Sequence, residues 1–370
     1  MINDRNIPSI FGDESQYWKG TRRKEVLDLF SNEMYGRLPA DDGETAYREL
    51  SSTEIAFGGE VARKEIIHVD VAGKNGSYSY PFIFITPLSG GPYVTHLHLS
   101  FNNPEEVRAG LLDANGAWTQ NENYPPIELL LKKKQALAIC FAADIEPDDN
   151  QNFPQGLAST ILPDYEQCSG EDMGMIGAWA WGMRLIVDYL VTRTEVNQKR
   201  LIASGCSRLG KAALWYGATD ERIYCTVSFN SGCGGAAISR NKRGETIGRM
   251  METFPRWLCK NMQKYAENED KMPFDQHMLL GLAAPRLLYV TSSSKDDWSD
   301  PASEFLGCVL ANEAYRQYGR LGMTTDLFPE PGVQLHEGDI GYHVRDGEHG
   351  VKTYDWEKLL EFVERKGQED

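Results

Sequence analysis

The stretch "RLIASGCSRLGKAALWYGA" (residues 200–218) constrains the fold more than any other part of the chain. An apolar run suited to a buried strand ends at Gly205, and strong helix formers begin within a few positions. So abrupt a change from strand to helix fits the corner of an α/β sheet, and its centre, "GCSRLGKA", admits two chemistries. From Gly205 to Lys211 it spells G-x-x-x-x-G-K, the opening of a phosphate-binding loop; from Gly205 to Gly210 it holds Ser207 between glycines. A phosphate loop needs a hydroxyl directly after its lysine to hold magnesium. That position is Ala212, and the next strand, "IYCTVSFN", leads into Asn230 and Ser231 rather than a metal-binding acid. A nucleophile elbow needs a serine at a sharp turn, small neighbours that let the backbone bend, and a helix N-terminus aimed at developing charge. The sequence supplies these with the spacing G-x-S-x-x-G in place of the commoner G-x-S-x-G.

The rest of the chain is consistent with such a corner. "KEIIHVDVAG", "SYPFIFITP", "YVTHLHLS" and "ALAICFAA" read as strands separated by turn residues. Later, "GMIGAWAWGMRLIVDYLVTR", "PASEFLGCVLANEAYRQYG" and "TYDWEKLLEFVERK" read as helices interleaved with the strands "KRLIAS", "IYCTVSFN", "PRLLYVTSS" and "IGYHVRDG". Alternation of this kind predicts an α/β fold, a mostly parallel central sheet covered by helices on both faces, with a β-rich N-terminal elaboration. One catalytic domain over residues 1–370 is expected. A helical lead-in over residues 1–50 is expected too, because Trp18, Val26, Leu27, Leu29 and Phe30 fall near helical spacing.

Composition limits the partners. A net charge of −16 argues against nucleic acid or an anionic membrane as a main partner, since both are met by basic surfaces. The most apolar segment, "MIGAWAWGMRLIVDYLV", is interrupted by Arg184 and Asp188 and is too short to span a bilayer. Seven cysteines are scattered without C-x-x-C pairs, which is neither a disulfide framework nor a zinc site. Reduced, buried thiols are expected. The opening "MINDRNIPSIFGDESQYW" lacks the pattern of an export signal, so a cytoplasmic location is expected, with secretion the alternative if a signal has been removed.

Chain order then supplies partners for Ser207. In α/β-hydrolases the serine is followed by an acid and then a histidine, each in a loop after a sheet strand. After "PRLLYVTSSS" comes "KDDWSDP", which offers Asp296, Asp297 and Asp300; after "IGYHVR" comes "DGEHG", which offers His349. The rival His343 lies inside a strand, where a packed structural histidine is the better reading. His277, His96 and His98 lack metal-ligand neighbours at useful spacing and are also read as structural.

In these segments the sequence resembles the glucuronoyl esterases, carbohydrate esterase family 15, and especially their bacterial members. The resemblance runs from about residue 20 to the C-terminus and rests on "GAWAWGMRLIVDYL", "GCSRLGKAALWYGATDERI", "SGCGGAAISR", "FPRWLCKNMQKY", "MPFDQHMLLGLAAPRLLYV", "DDWSDPASEF" and "GYHVRDGEHG" with the later "YDW". It implies an α/β-hydrolase fold and cleavage of the ester between glucuronic acid on xylan and an alcohol of lignin. By the same resemblance Ser207 is the nucleophile, His349 the base, and Arg208 helps hold the oxyanion through its backbone N–H and its guanidinium. Lys211 would contact the hydroxyls of the glucuronate ring, and Trp298 would line the sugar site. Many members carry a glutamate just before the "SG.GG" segment. Here that residue is Asn230, so the acid should come from "KDDWSDP", with Asp296 favoured by alignment on the tryptophan and Asp300 second. Fungal members bridge the cysteine before the serine to one after the histidine; Gly350 follows His349 here, so Cys206 is expected to be free.

The expectation is a serine carboxyl-ester hydrolase acting through an acyl-enzyme on esters of (4-O-methyl-)glucuronic acid carried by xylan-derived saccharides. It needs no metal or organic cofactor, and its partner is a small-molecule or oligosaccharide ester. An acetyl or other acyl esterase acting on carbohydrate is the alternative, and a non-catalytic carbohydrate-binding relative a remoter one.

Overall fold

A computed structural model of the chain describes residues 5–12, 18–39, 43–57, 59–101 and 125–369. Its strands are β1 (Glu44–Phe57), β2 (Glu60–Gly73), β3 (Gly76–Pro87), β4 (Tyr93–Ser100), β5 (Ala136–Phe141), β6 (Val196–Cys206), β7 (Ile223–Phe229), β8 (Leu287–Ser293), β9 (Gln334–Leu335) and β10 (Ile340–Arg345). Its helices are α1 (Arg23–Phe30), α2 (Ile127–Lys132), α3 (Ala142–Ile145), α4 (Met175–Leu190), α5 (Arg208–Thr219), α6 (Ile247–Thr253), α7 (Gln276–Gly281), α8 (Pro301–Arg316) and α9 (Thr353–Glu369).

All the strands join one sheet in the order β1-β2-β3-β5-β4-β6-β7-β8-β10-β9. From β5 through β10 every pairing is parallel, whereas β1, β2 and β3 form an antiparallel meander at one edge and short β9 runs antiparallel at the other. The parallel strands are apolar runs because both their faces are covered. On one face, α4 and α5 belong to the largest core cluster, in which Trp179, Trp181 and Trp215 are buried. Helix α4 is apolar on nearly every side, so it lies inside the molecule rather than on its surface. On the other face, Trp356, Leu359, Phe362 and Val363 of α9 pack on Ile202, Val227, Phe229 and Tyr289 of β6, β7 and β8. Burial of each such large side chain stabilises the fold by about 1.5–3 kcal/mol. No described helix is long and apolar enough to cross a membrane.

The expected lead-in over 1–50 is corrected at its end. Helical structure reaches Tyr35, but from Glu44 the chain is already strand β1. There "ETAYRELSSTEIAF" pairs with β2 at the sheet edge, and most of its side chains are exposed or half-buried, so backbone pairing rather than apolar alternation makes it a strand.

Candidate active site

Parallel register brings the ends of β4, β6 and β7 together, with Gly205 beside Leu99 on one side and Ser228 on the other. Ser207 follows two residues later, between β6 and α5, with φ 58° and ψ −128°. That conformation is disfavoured for an L-residue and is held from several sides. Ser207 N donates to Phe229 O at 2.8 Å, while Gly210 N and Lys211 N donate back to Ser207 O at 2.9 and 3.2 Å. A Cβ on Gly205 would lie 2.2 Å from Leu209 O, and one on Gly210 would lie 3.0 Å from Ser231 Cβ and 3.1 Å from Gly205 O. Both glycines of G-x-S-x-x-G are thus places where the returning helix touches backbone, and the serine between them is turned out of the corner.

The candidate acid and base come from the loops after the next pair of strands. Ser293, the last residue of β8, pairs in register with Arg345, the last of β10, so the loops that follow emerge side by side. Asp296 Oδ2 lies 2.6 Å from His349 Nδ1, and Asp296 Oδ1 accepts from Ser299 N at 3.1 Å. The Asp296 side chain is 3% exposed and that of His349 43%. Burial opposes ionisation of Asp296, but the hydrogen bonds from His349 and Ser299 outweigh it and hold the carboxyl below its ordinary value. Asp300 is occupied elsewhere: it caps α8 by accepting from Ser303 N, and it accepts from Arg243 N at 2.9 Å. Asp297 is exposed. Asn230, at the end of β7, donates from Nδ2 to Ser293 Oγ at 2.9 Å and to Gly350 O at 3.5 Å, beside the histidine.

Ser207 and His349 line one cavity of about 410 Å³ together with Arg208, His98, Leu99, Phe101 and Val351. The Arg208 guanidinium is ion-paired with Asp148 and lies over the rings of Trp257, Phe254 and Phe101 at 4.5, 5.3 and 5.3 Å. Asp148 also accepts from Trp257 Nε1 at 2.8 Å. Lys211 is buried, with Nζ 3.4 Å from Glu245 Oε2 and 5.1 Å from the centre of the Trp257 ring. It is therefore not a solvated helix lysine, and it stands behind the cavity lining, on the Trp257 side. Trp298 is exposed, with Arg249 5.9 Å over its ring, and its carbonyl accepts from Glu245 N at 3.0 Å. Trp298, Glu245 and Lys211 thus form a connected line from the surface inward. Sequence reasoning missed Glu245 and Asp148, which lie in segments without a motif; an acid left over near "SGCGGAAISR" was the only signal for the first.

His96, His98, His277 and His343 are packed. His96 Nε2 is 2.6 Å from Gln135 Oε1, His98 Nδ1 is 2.9 Å from Ser204 Oγ, and burial lowers both, to about 4 and about 3. Burial likewise lowers His277 to about 4. His343 is buried between Tyr289, whose hydroxyl is 2.8 Å from its Nδ1, and Asp355, 2.8 Å from its Nε2. All seven cysteines, Cys206 among them, are free and buried.

Comparison with known proteins gives this arrangement a family. The model of the fungal glucuronyl esterase family matches residues 165–319. Carbohydrate esterase MZ0003, from an unknown prokaryotic organism, is 33% identical over 382 residues, which span 95% of this chain and 85% of the relative. A 4-O-methyl-glucuronoyl methylesterase of Phanerochaete chrysosporium is 35% identical over 164 residues, 42% of this chain and 34% of the relative. Among solved structures, a glucuronoyl esterase from Solibacter usitatus superposes with a TM-score of 0.86 at 32% identity over 97% of each chain. A promiscuous CE15 esterase from a marine bacterial metagenome superposes with a TM-score of 0.84 at 31% identity, over 97% of this chain and 96% of its own. The fold is that of the α/β-hydrolases, and the chain belongs to the glucuronoyl esterases of carbohydrate esterase family 15, a family of carboxylic ester hydrolases.

Proposed function

We propose that this protein hydrolyses esters of glucuronic or 4-O-methyl-glucuronic acid on xylan-derived saccharides, with Ser207 as nucleophile, His349 as base and Asp296 as the orienting acid. One observation carries the reading: a serine in a strained corner faces the same cavity as a histidine whose other ring nitrogen lies 2.6 Å from a buried carboxylate. Ser207 Oγ attacks the ester carbonyl and gives its proton to His349 Nε2. The imidazolium returns that proton to the departing alcohol, leaving the uronoyl group on Ser207. Water, deprotonated by the same histidine, then releases the uronic acid and restores the serine. Asp296 holds the Nδ1–H tautomer and stabilises the imidazolium.

The oxyanion is met by the N-terminus of α5, whose first N–H groups have no partner within the helix. Arg208 adds a fixed positive charge. Its guanidinium is immobilised by Asp148 and three rings at the wall of the cavity. The uronate is favoured over a simple acyl group by the exposed ring of Trp298, suited to a pyranose face, while the Lys211–Glu245 pair lies buried behind the cavity wall. The names of the fungal relatives agree with that choice.

Benzyl glucuronate and a simple aryl acetate separate the substrates. We expect the uronate to be hydrolysed with the higher kcat/KM and Ser207→Ala to abolish its turnover. Wild-type activity in Ser207→Ala overturns the mechanism, and a clear preference for the acetate moves the assignment to a general acyl esterase.

A further inference from the structure

His349 is exposed, sits on a loop and must keep one nitrogen on Asp296 while the other serves Ser207, so something has to fix the backbone on either side of it. Arg345, the last residue of β10, does what such a fixture requires. Its Nη2 donates to Glu348 O at 3.0 Å and to Gly350 O at 2.9 Å, the carbonyls of the residues immediately before and after His349. The same nitrogen lies 2.7 Å from Ser293 Oγ, at the root of the loop that carries Asp296. The guanidinium is oriented in turn by Asp355, which accepts from Arg345 Nε at 3.1 Å and Lys352 N at 2.8 Å through one oxygen and meets His343 with the other. Backbone bonds complete the connection between the two loops: Ser294 N donates to Arg345 O at 2.8 Å and Lys295 N to Gly347 O at 3.0 Å.

We infer that Arg345 is a positioning residue for the esterase reaction, a clasp that holds His349 in register with Asp296 and Ser207 without touching substrate. The inference rests on the triad assigned above. A planar guanidinium is suited to this task because it presents donors in fixed directions, whereas a lysine ammonium has no such fork and a flexible stem. Its contribution falls on both chemical steps, since His349 moves the proton in acylation and in deacylation, and it falls little on substrate binding.

The test is steady-state hydrolysis of benzyl glucuronate by the full chain as wild type, Arg345→Lys and Arg345→Ala, with thermal melts of each. Displacement of a catalytic group by about 1 Å lowers rates by about 100-fold, so Arg345→Ala should lose roughly that factor in kcat and in kcat/KM alike. KM should stay within about twofold, and millimolar methylguanidinium should recover part of the kcat, as expected for a loss of transition-state interaction rather than of uniform binding. Arg345→Lys, which keeps the charge without the fork, should remain at least about fivefold below wild type while melting near it. Where Arg345→Ala does not fold, Arg345→Lys decides. Folded variants within twofold of the wild-type kcat overturn the clasp, as does a loss borne by KM alone or one that methylguanidinium does not relieve. An inactive wild type overturns the triad and the clasp together, whereas an active wild type beside undiminished Arg345 variants overturns the clasp alone.

Discussion

Two histidine–carboxylate pairs of nearly equal length stand out among the described residues, one made through Nδ1 and the other through Nε2. In one, Asp296 lies 2.6 Å from His349; in the other, Asp355 lies 2.8 Å from His343. Their surroundings differ. His349 is 43% exposed beside a cavity, while His343 is 0% exposed inside β10, with a tyrosine on its remaining nitrogen. On the proposed mechanism the same two kinds of side chain serve reaction in one place and packing in the other, and what separates them is whether the far nitrogen faces space or a protein atom. A loop beyond the carboxyl end of a parallel strand leaves that space, and the strand interior does not.

The largest effect should come from breaking the reactive pair. Asp296→Asn is expected to lower kcat by about 10⁴-fold, because the amide favours the wrong imidazole tautomer, while urea unfolding changes little. An Asp296→Asn enzyme within tenfold of wild type would remove the distinction drawn here. The buried pair should respond in the other coordinate. Asp355→Asn leaves a buried, half-satisfied cluster around His343 and Arg345 and should lower unfolding stability by about 4 kcal/mol. Its kcat should fall far less than that of Asp296→Asn, and equal losses of activity would mean that the two pairs are not separable.

A third carboxyl sharpens the comparison, since it lies deep in the core near the reactive pair without joining it. Glu304 accepts from Gly232 N at 2.9 Å and Ser292 Oγ at 2.6 Å, and burial pushes its pKa up from 4.5 to about 7. The folded chain therefore holds a proton that the unfolded chain releases, so the stability contributed by this group is full below about pH 4.5 and is lost as pH rises through about 7. The decline should reach up to about 3 kcal/mol and be absent in Glu304→Gln, as read from urea unfolding at pH 5 and pH 8. Parallel pH profiles in the two proteins would assign the slope to other groups. The smallest effect concerns the exposed rim: Trp298→Ala should raise KM for the uronate roughly tenfold with kcat nearly kept, the pattern of lost uniform binding. A fall in kcat alone would place Trp298 with the reacting groups instead.

Much of this was legible in the sequence because the elements concerned are locally encoded. The strand, serine and helix of residues 200–218 carry their own turn chemistry, and Asp296 and His349 each follow an apolar strand by a few residues. Strand β1 was not legible, since an edge ribbon with most side chains exposed shows no apolar alternation, and its register comes from β2. Nor were Asp148, Glu245 and Arg345. Asp148 acts on Arg208 across a separation of 60 positions, and Arg345 acts through carbonyl groups, which have no signature in side-chain identity. Asp300 is engaged as a helix cap and Asp296 as the partner of His349, a difference of tertiary placement that the sequence does not carry.

The twisted backbone of Ser207 has a consequence for how such a protein can change over time. A residue held at φ 58° raises the energy of the native state by about 1–3 kcal/mol relative to a glycine there. Replacing Ser207, the proposed nucleophile, with glycine should therefore yield a sturdier and inert protein. On the proposed mechanism, a demand for heat resistance alone would favour glycine at this position, and a demand for turnover opposes it.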